Sequence, residues 1–200
     1  MRIRTHTNPF NCTNRFEKLN LKNISHFKGK LDLEIGFGQS SFILNHALKN
    51  PESFIVGVEV RKKAVELMEE KIKNQNIENV CVFHGNGNIC LSDMFEDKSL
   101  DNIFIFHPDP WMKNRHNNRR LINEDFLNLA GKKLKKEGKI FVATDVEELW
   151  QEIKKVFSKN KNFTEIKMDE FWTEYYSGRW DEISKQKGKA IFYATFKAVN

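Results

Sequence analysis

The 200-residue sequence has little cysteine, little proline and no long apolar run, and each shortage excludes something. Stretches such as Ile103 to Phe106 break off after a few residues, against about 20 needed to cross a bilayer as a helix. No membrane-spanning helix is expected. The segment from Met1 to Phe10 lacks the apolar core of a signal peptide, so the chain is expected to act in the cytoplasm. Its three cysteines, Cys12, Cys81 and Cys90, form no CxxC pair, which fits reduced thiols better than a disulfide framework or a zinc knuckle. The six histidines show neither HxH nor HxxxH spacing, and no metal site is expected. With four prolines and ten glycines there is no flexible linker and no internal repeat. One domain over residues 1–200 is expected, with 1–30 as an arm before the first strand and a monomer as the default state.

What is present is charge and alternation. Lysine and arginine number 33 against 27 acidic residues, a net +6, an excess whose placement matters more than its size. Short apolar runs alternate with longer amphipathic ones. Strands are expected at Leu31–Ile35, Phe54–Val60, Val80–Phe83, Ile103–His107, Lys139–Ala143, Phe163–Met168 and Ala190–Phe196. Helices are expected at Ser41–Lys49, Ala64–Lys73, Glu124–Leu134 and Glu147–Phe157. Strand and helix in turn imply a parallel sheet covered on both faces, because a parallel neighbour is reached only by a crossover. The last two strands lack an evident helix between them, so an antiparallel final strand fits. Pro108–Leu121 and Asp169–Lys189 read as long loops, which in compact domains are usually functional or disordered.

The first strand runs into Glu34-Ile35-Gly36-Phe37-Gly38-Gln39-Ser40 just before a helix. Gly36 and Gly38 allow a sharp turn and bring a ligand against the main chain at the carboxyl edge of the sheet. Glu59, 21 residues past Gly38, is placed to accept both hydroxyls of an adenosine ribose. A dinucleotide fingerprint would put glycine where Ser41 stands, and Glu34 would repel a pyrophosphate. The acid suits a cation instead, such as the sulfonium or amino group of S-adenosylmethionine. Asn86, in His84-Gly85-Asn86-Gly87-Asn88, fits either a contact with the adenine edge or an ordinary Asx turn.

The fourth strand enters His107-Pro108-Asp109-Pro110-Trp111, followed by Lys113, Arg115, Arg119 and Arg120. Two prolines stiffen the turn that holds the Asp109 carboxylate, and cations beside an aromatic suit phosphates and stacked bases. Lys132, Lys133, Lys135 and Lys136 read instead as compensation of a helix C-terminus.

The stretches EIGFGQ, Glu59-Val60, HPDPWMKNRHNNRR and Val142 to Asp145 resemble the bacterial tRNA (guanine-N7)-methyltransferase family (TrmB), most clearly between Leu31 and Asp145. The resemblance implies an α/β class I methyltransferase with a Rossmann-like seven-stranded sheet, mostly parallel with one antiparallel strand and helices on both faces. It implies S-adenosylmethionine as cofactor and a guanosine in the variable loop of tRNA as substrate. By position, Glu34, Gly36, Gly38, Glu59, Asn86 and Asp109 would hold the cofactor. Asp109 would be catalytic, and Lys113, Arg115 and Asp145 would contact the substrate. Three departures stand out: Ser40 replaces a third glycine, Asn118 a lysine, and the guanine-contacting element near the C-terminus matches neither Thr173-Glu174-Tyr175-Tyr176 nor Trp180-Asp181-Glu182 cleanly. The alternatives are another guanine-containing RNA as substrate, a nicotinamide-dependent oxidoreductase, or an RNA-binding module without catalysis.

Overall fold

The computed structural model describes residues 8–20, 27–111, 120–167 and 169–199. Seven strands form one sheet: β1 (Leu31–Ile35), β2 (Phe54–Glu59), β3 (Val80–His84), β4 (Leu100–Phe106), β5 (Leu134–Thr144), β6 (Phe163–Ile166) and β7 (Phe192–Ala198). Their order is β3-β2-β1-β4-β5-β7-β6. Neighbours from β3 through β5 pair parallel, whereas β7 is antiparallel to both β5 and β6. The expected seven-stranded sheet with one reversed strand is therefore what the chain builds. The order reverses between β1 and β4, and at such a switch point the two outgoing loops part and leave a crevice at the carboxyl ends of the strands.

Side-chain alternation divides the core between the two faces. Leu31, Leu33, Ile35, Ile103, Ile105, Ile140 and Val142 pack with α3 (Gly87–Met94), α4 (Glu124–Lys133) and α5 (Glu147–Lys159). Their out-of-phase neighbours Ile55, Phe104 and Phe141 pack with α1 (Phe42–Lys49), α2 (Lys62–Asn74) and the aromatic turn Phe171–Tyr175. Period-two burial on both faces is what the central strands of a two-sided sheet require. No helix among the described residues is long and apolar enough to cross a membrane.

The structure departs from the sequence expectations in three elements. Helix α3 stands where the Asn-Gly run suggested a turn, because Asn86 caps it: its Oδ1 accepts from the N–H groups of Asn88 (2.8 Å) and Ile89 (3.4 Å). A sixth helix, α6 (Arg179–Gln186), occupies part of the second presumed loop. Strand β5 reaches back to Leu134 through Glu137 in the left-handed region (φ 66°), so Lys135 and Lys136 lie on a strand and not on a helix end. In the N-terminal arm, Arg15 pairs with Asp93 at 2.7 Å and Lys18 with Glu96 at 2.5 Å while both cations stay largely exposed, which ties the arm to α3 and the turn after it. Arg2 and Arg4 lie outside the described residues.

Candidate functional site

At the switch point lies a cavity of about 550 Å³, within the roughly 300–1,000 Å³ of small-molecule sites. One wall is the β1–α1 loop, the end of β2 and the start of α3, including Glu34, Gly36, Gly38, Ser40, Glu59, Arg61 and Asn86. The opposite wall is the turn after β4 with Asp109 and Trp111, joined by Tyr176 and by Arg179, Trp180 and Ile183 of α6. Pro9 and Phe10 of the arm close one side, held by a 3.0 Å hydrogen bond from Asn86 Nδ2 to the Pro9 carbonyl.

The glycine loop turns through left-handed backbone at Gly36 (φ 79°) and Gly38 (φ 58°), where a side chain would be strained. Nothing lies within 4 Å of where a Gly36 Cβ would sit, so main chain faces open space there. Ser40, the departure from a third glycine, accepts from the Phe42 N–H through its Oγ at 3.1 Å and so helps start α1.

Two buried acids on the same face of β1 have opposite surroundings. Asp32 is satisfied by His46 Nε2 at 2.8 Å and by Asn102 Nδ2 at 2.7 Å. Glu34, two residues further toward the cavity, is equally buried, yet its Oε2 has no hydrogen-bond partner. Burial first, and then the negative charge of Glu59, push its pKa up to about 8. A fully desolvated acid with an unused oxygen on a ligand-sized cavity is a receptor for a cationic or N–H-bearing group.

Glu59 is occupied, in contrast. Its Oε2 accepts from the Gly38 N–H (2.9 Å) and Arg61 Nη2 (3.1 Å), and its Oε1 from the Arg61 N–H (2.9 Å) and Nε (3.1 Å). Four donors fill the roughly four acceptor positions of a carboxylate, so a ribose diol reaches Glu59 only as the Arg61 side chain lets go. The sequence reading missed Arg61, although a cation two residues past the acid at a strand end was its signal. Asn86 lines the cavity while its Oδ1 caps α3 and its Nδ2 donates to the Pro9 carbonyl.

On the other wall, His107 (φ 48°) and Trp111 (φ 42°) flank the Pro108-Asp109-Pro110 turn in left-handed backbone, a strain of order 1–3 kcal/mol each that surrounding contacts must hold. Arg120 supplies some of them, donating from Nε to the Pro110 carbonyl (2.9 Å) and from Nη2 to that of Trp111 (3.4 Å) while pairing with Glu152 on α5. Arg120 thus braces the turn, and it also lines the cavity. Lys113, Arg115 and Arg119 lie outside the described residues. Asp109 is half-buried, and its charge bears on Arg61 across the cavity.

Asp145, expected to contact the substrate, is not among the residues that line the cavity. Its carboxylate is turned behind the Asp109 turn, 3.4 Å from His107 Nδ1, accepting from Ser184 Oγ at 2.9 Å and lying 3.4 Å from Lys189 Nζ. In its place α6 supplies Trp180 to the lining, while Thr173 and Glu174 are exposed elsewhere. Of the two C-terminal candidates, Trp180-Asp181-Glu182 brings Trp180 to the cavity and Thr173-Glu174-Tyr175-Tyr176 brings Tyr176. Among the described residues no group of three metal-ligating side chains converges.

Residues 28–193 match the family model described as "Putative methyltransferase". A tRNA (guanine-N(7)-)-methyltransferase of Nitrosococcus oceani is 32% identical over 179 residues, covering 90% of this chain and 76% of that protein. A bifunctional methyltransferase of Rickettsia typhi is 36% identical over 144 residues, 72% of this chain and 28% of that longer protein. Among solved structures, the 16S rRNA methyltransferase KamB superposes with a TM-score of 0.62 at 10% identity over 88% of this chain and 91% of its own, a likeness of fold alone. Sequence, sheet order and site together place the chain in the methyltransferase family of that model and, within it, in the tRNA (guanine-N7)-methyltransferase family.

Proposed function

We propose that the protein transfers the methyl group of S-adenosylmethionine to N7 of a guanosine in the variable loop of cytoplasmic tRNA. The observation that carries this reading is the unpartnered oxygen of buried Glu34 on a cavity that it shares with the Asp109 turn. The residues fit such a cofactor: an acid lacking a donor, glycine main chain facing open space at Gly36, and an acceptor for a diol at Glu59 once Arg61 swings aside. A pyrophosphate-bearing nicotinamide cofactor fits poorly beside Glu34, because it brings no cationic or N–H-bearing group for the acid's unused oxygen and its negative charge would oppose the acid's ionisation.

When bound, S-adenosylmethionine supplies an electrophilic methyl group on a sulfonium centre. Guanine N7 carries a lone pair and no proton, so the chain needs no general base to make a nucleophile. Its work is placement and electrostatics. Asp109 would accept from guanine N1–H or the exocyclic amine, hold N7 in position for attack, and stabilise the positive charge that the purine gains. Trp180 and Trp111 offer π faces to the base, and Lys113 and Arg115, which follow the Asp109 turn in sequence, take backbone phosphates.

The test is incubation of the protein with unmodified tRNA and labelled S-adenosylmethionine, then nucleoside mass analysis and mapping of the methylated position. Labelled 7-methylguanosine in the variable loop is expected. A label on another nucleoside, or on 7-methylguanosine of other RNAs but not tRNA, overturns the reading.

A further inference from the structure

The turn that carries Asp109 and the helix that carries Trp180 come from distant parts of the chain, and one side chain joins them. The His107 ring is 1% exposed and lies between two carboxylates: Nε2 is 2.6 Å from Asp181 Oδ1 on α6, and Nδ1 is 3.4 Å from Asp145 Oδ1 at the end of β5. Its backbone N–H donates to the Ala143 carbonyl at 2.7 Å, which fixes the ring to the sheet just before the chain turns into Pro108 and Asp109. Asp181 also accepts from Tyr176 at 3.1 Å and from Tyr193 of β7, and Ser184 and Lys189 reach the other oxygen of Asp145.

We infer that the His107 imidazolium is a positioning residue for methyl transfer, a cationic pin that holds the Trp180 helix against the Asp109 turn within one wall of the cavity and lets the helix part from the turn when it loses its proton. The charges require the cation. A neutral imidazole has one N–H and one lone pair, so in that form one of the two carboxylates faces an acceptor. With the ring protonated both nitrogens donate, one toward each carboxylate. Burial, the largest single influence, lowers the His107 pKa, but the hydrogen bonds and charges of Asp145 and Asp181 outweigh it and raise it above the ordinary value. Tyr176 and Tyr193 are pushed upward by burial and by Asp181 and stay protonated donors throughout. The sign follows: with the folded pKa raised, the pin is fully in place below the unfolded histidine pKa and is lost as pH rises through the folded one.

The activity consequence rests on the methyl-transfer reading; the structural consequence does not, and the two are measured separately. Hydrogen exchange over residues 178–187, expressed as protection relative to the unfolded chain from about pH 6 to about pH 10, is expected to fall tenfold or more on the alkaline side in the native protein and to be pH-independent in His107→Gln. Single-turnover methyl transfer is expected to fall over the same range, with His107→Lys moving the fall to higher pH. Glu34 titrates nearby, at about 8, so both profiles are repeated in Glu34→Gln, where the alkaline fall persists if His107 causes it. Protection that does not change with pH in the native protein, or that falls equally in His107→Gln, overturns the pin. Loss of protection without any methyl transfer upholds the pin and overturns the reaction.

Discussion

The two walls of the cavity treat their acids in opposite ways. Toward β1, Glu34 is buried with an oxygen that no side chain or amide satisfies, two residues from an Asp32 that is fully satisfied. Toward β4 and α6, Asp145 and Asp181 are saturated by His107, Ser184, Lys189 and two tyrosines. An unsatisfied buried acid costs stability that a purely structural position would not retain. A saturated cluster does the reverse and makes a strained turn rigid. One wall is therefore built to receive a ligand, and the other to hold Asp109 still.

The largest break in that comparison comes from removing what the rigid wall presents. Asp109→Ala is expected to slow single-turnover methyl transfer by about 10²–10³-fold, the scale of one preorganised electrostatic partner, with cofactor affinity changed by less than about threefold; an unchanged rate removes Asp109 from the chemistry. Next is the receptor wall. Glu34→Gln is expected to weaken S-adenosylmethionine binding by roughly 10–100-fold, the scale of a charge-assisted hydrogen bond, as read by calorimetry.

The same variant is expected to stabilise the cofactor-free protein. With its pKa raised to about 8, Glu34 contributes most below the unfolded carboxylate pKa, and that contribution is lost as pH rises toward and through the folded value. The advantage of glutamine should therefore grow from about pH 5 to about pH 9, reaching on the order of a few kcal/mol in denaturant titrations. An advantage that stays constant between those pH values would show Glu34 to be ionised in the empty site. Smaller still is Arg120→Ala, expected to cost about 1–2 kcal/mol through the lost brace while leaving the salt dependence of tRNA binding unaltered; a slope reduced by about one phosphate would return Arg120 to the RNA surface.

Much of this was legible in the sequence where local pattern and burial agree. Leu31–Ile35 is a strand with the bounds that alternation implies, and Gly36, Gly38, Glu34, Glu59 and Asp109 do meet at one cavity because strand ends in a parallel sheet share an edge. What stayed hidden depended on partners distant in the chain. The segment Gly87–Met94 carries no strong amphipathic pattern and opens on residues that favour turns, so only the cap made by Asn86 shows it to be a helix. His107 read as the last residue of a strand, and nothing in its neighbours announces Asp181, 74 residues later. Asp145 lies one strand over from Asp109, yet its carboxylate meets His107, Ser184 and Lys189. Arg120 sits in a basic run, and its buried brace emerges only when Glu152 and the Pro110 carbonyl are in place.

The most direct test of the receptor wall is the proton balance of cofactor binding. S-adenosylmethionine is titrated into the protein near pH 7 in buffers of different ionisation enthalpy. A cationic group docking on the unused oxygen of Glu34 must lower that acid's pKa, so release approaching one proton is expected in the native protein and close to none in Glu34→Gln. Binding with no proton release in the native protein, or with the same release in both, would contradict the assignment of Glu34 as the site's cation receptor.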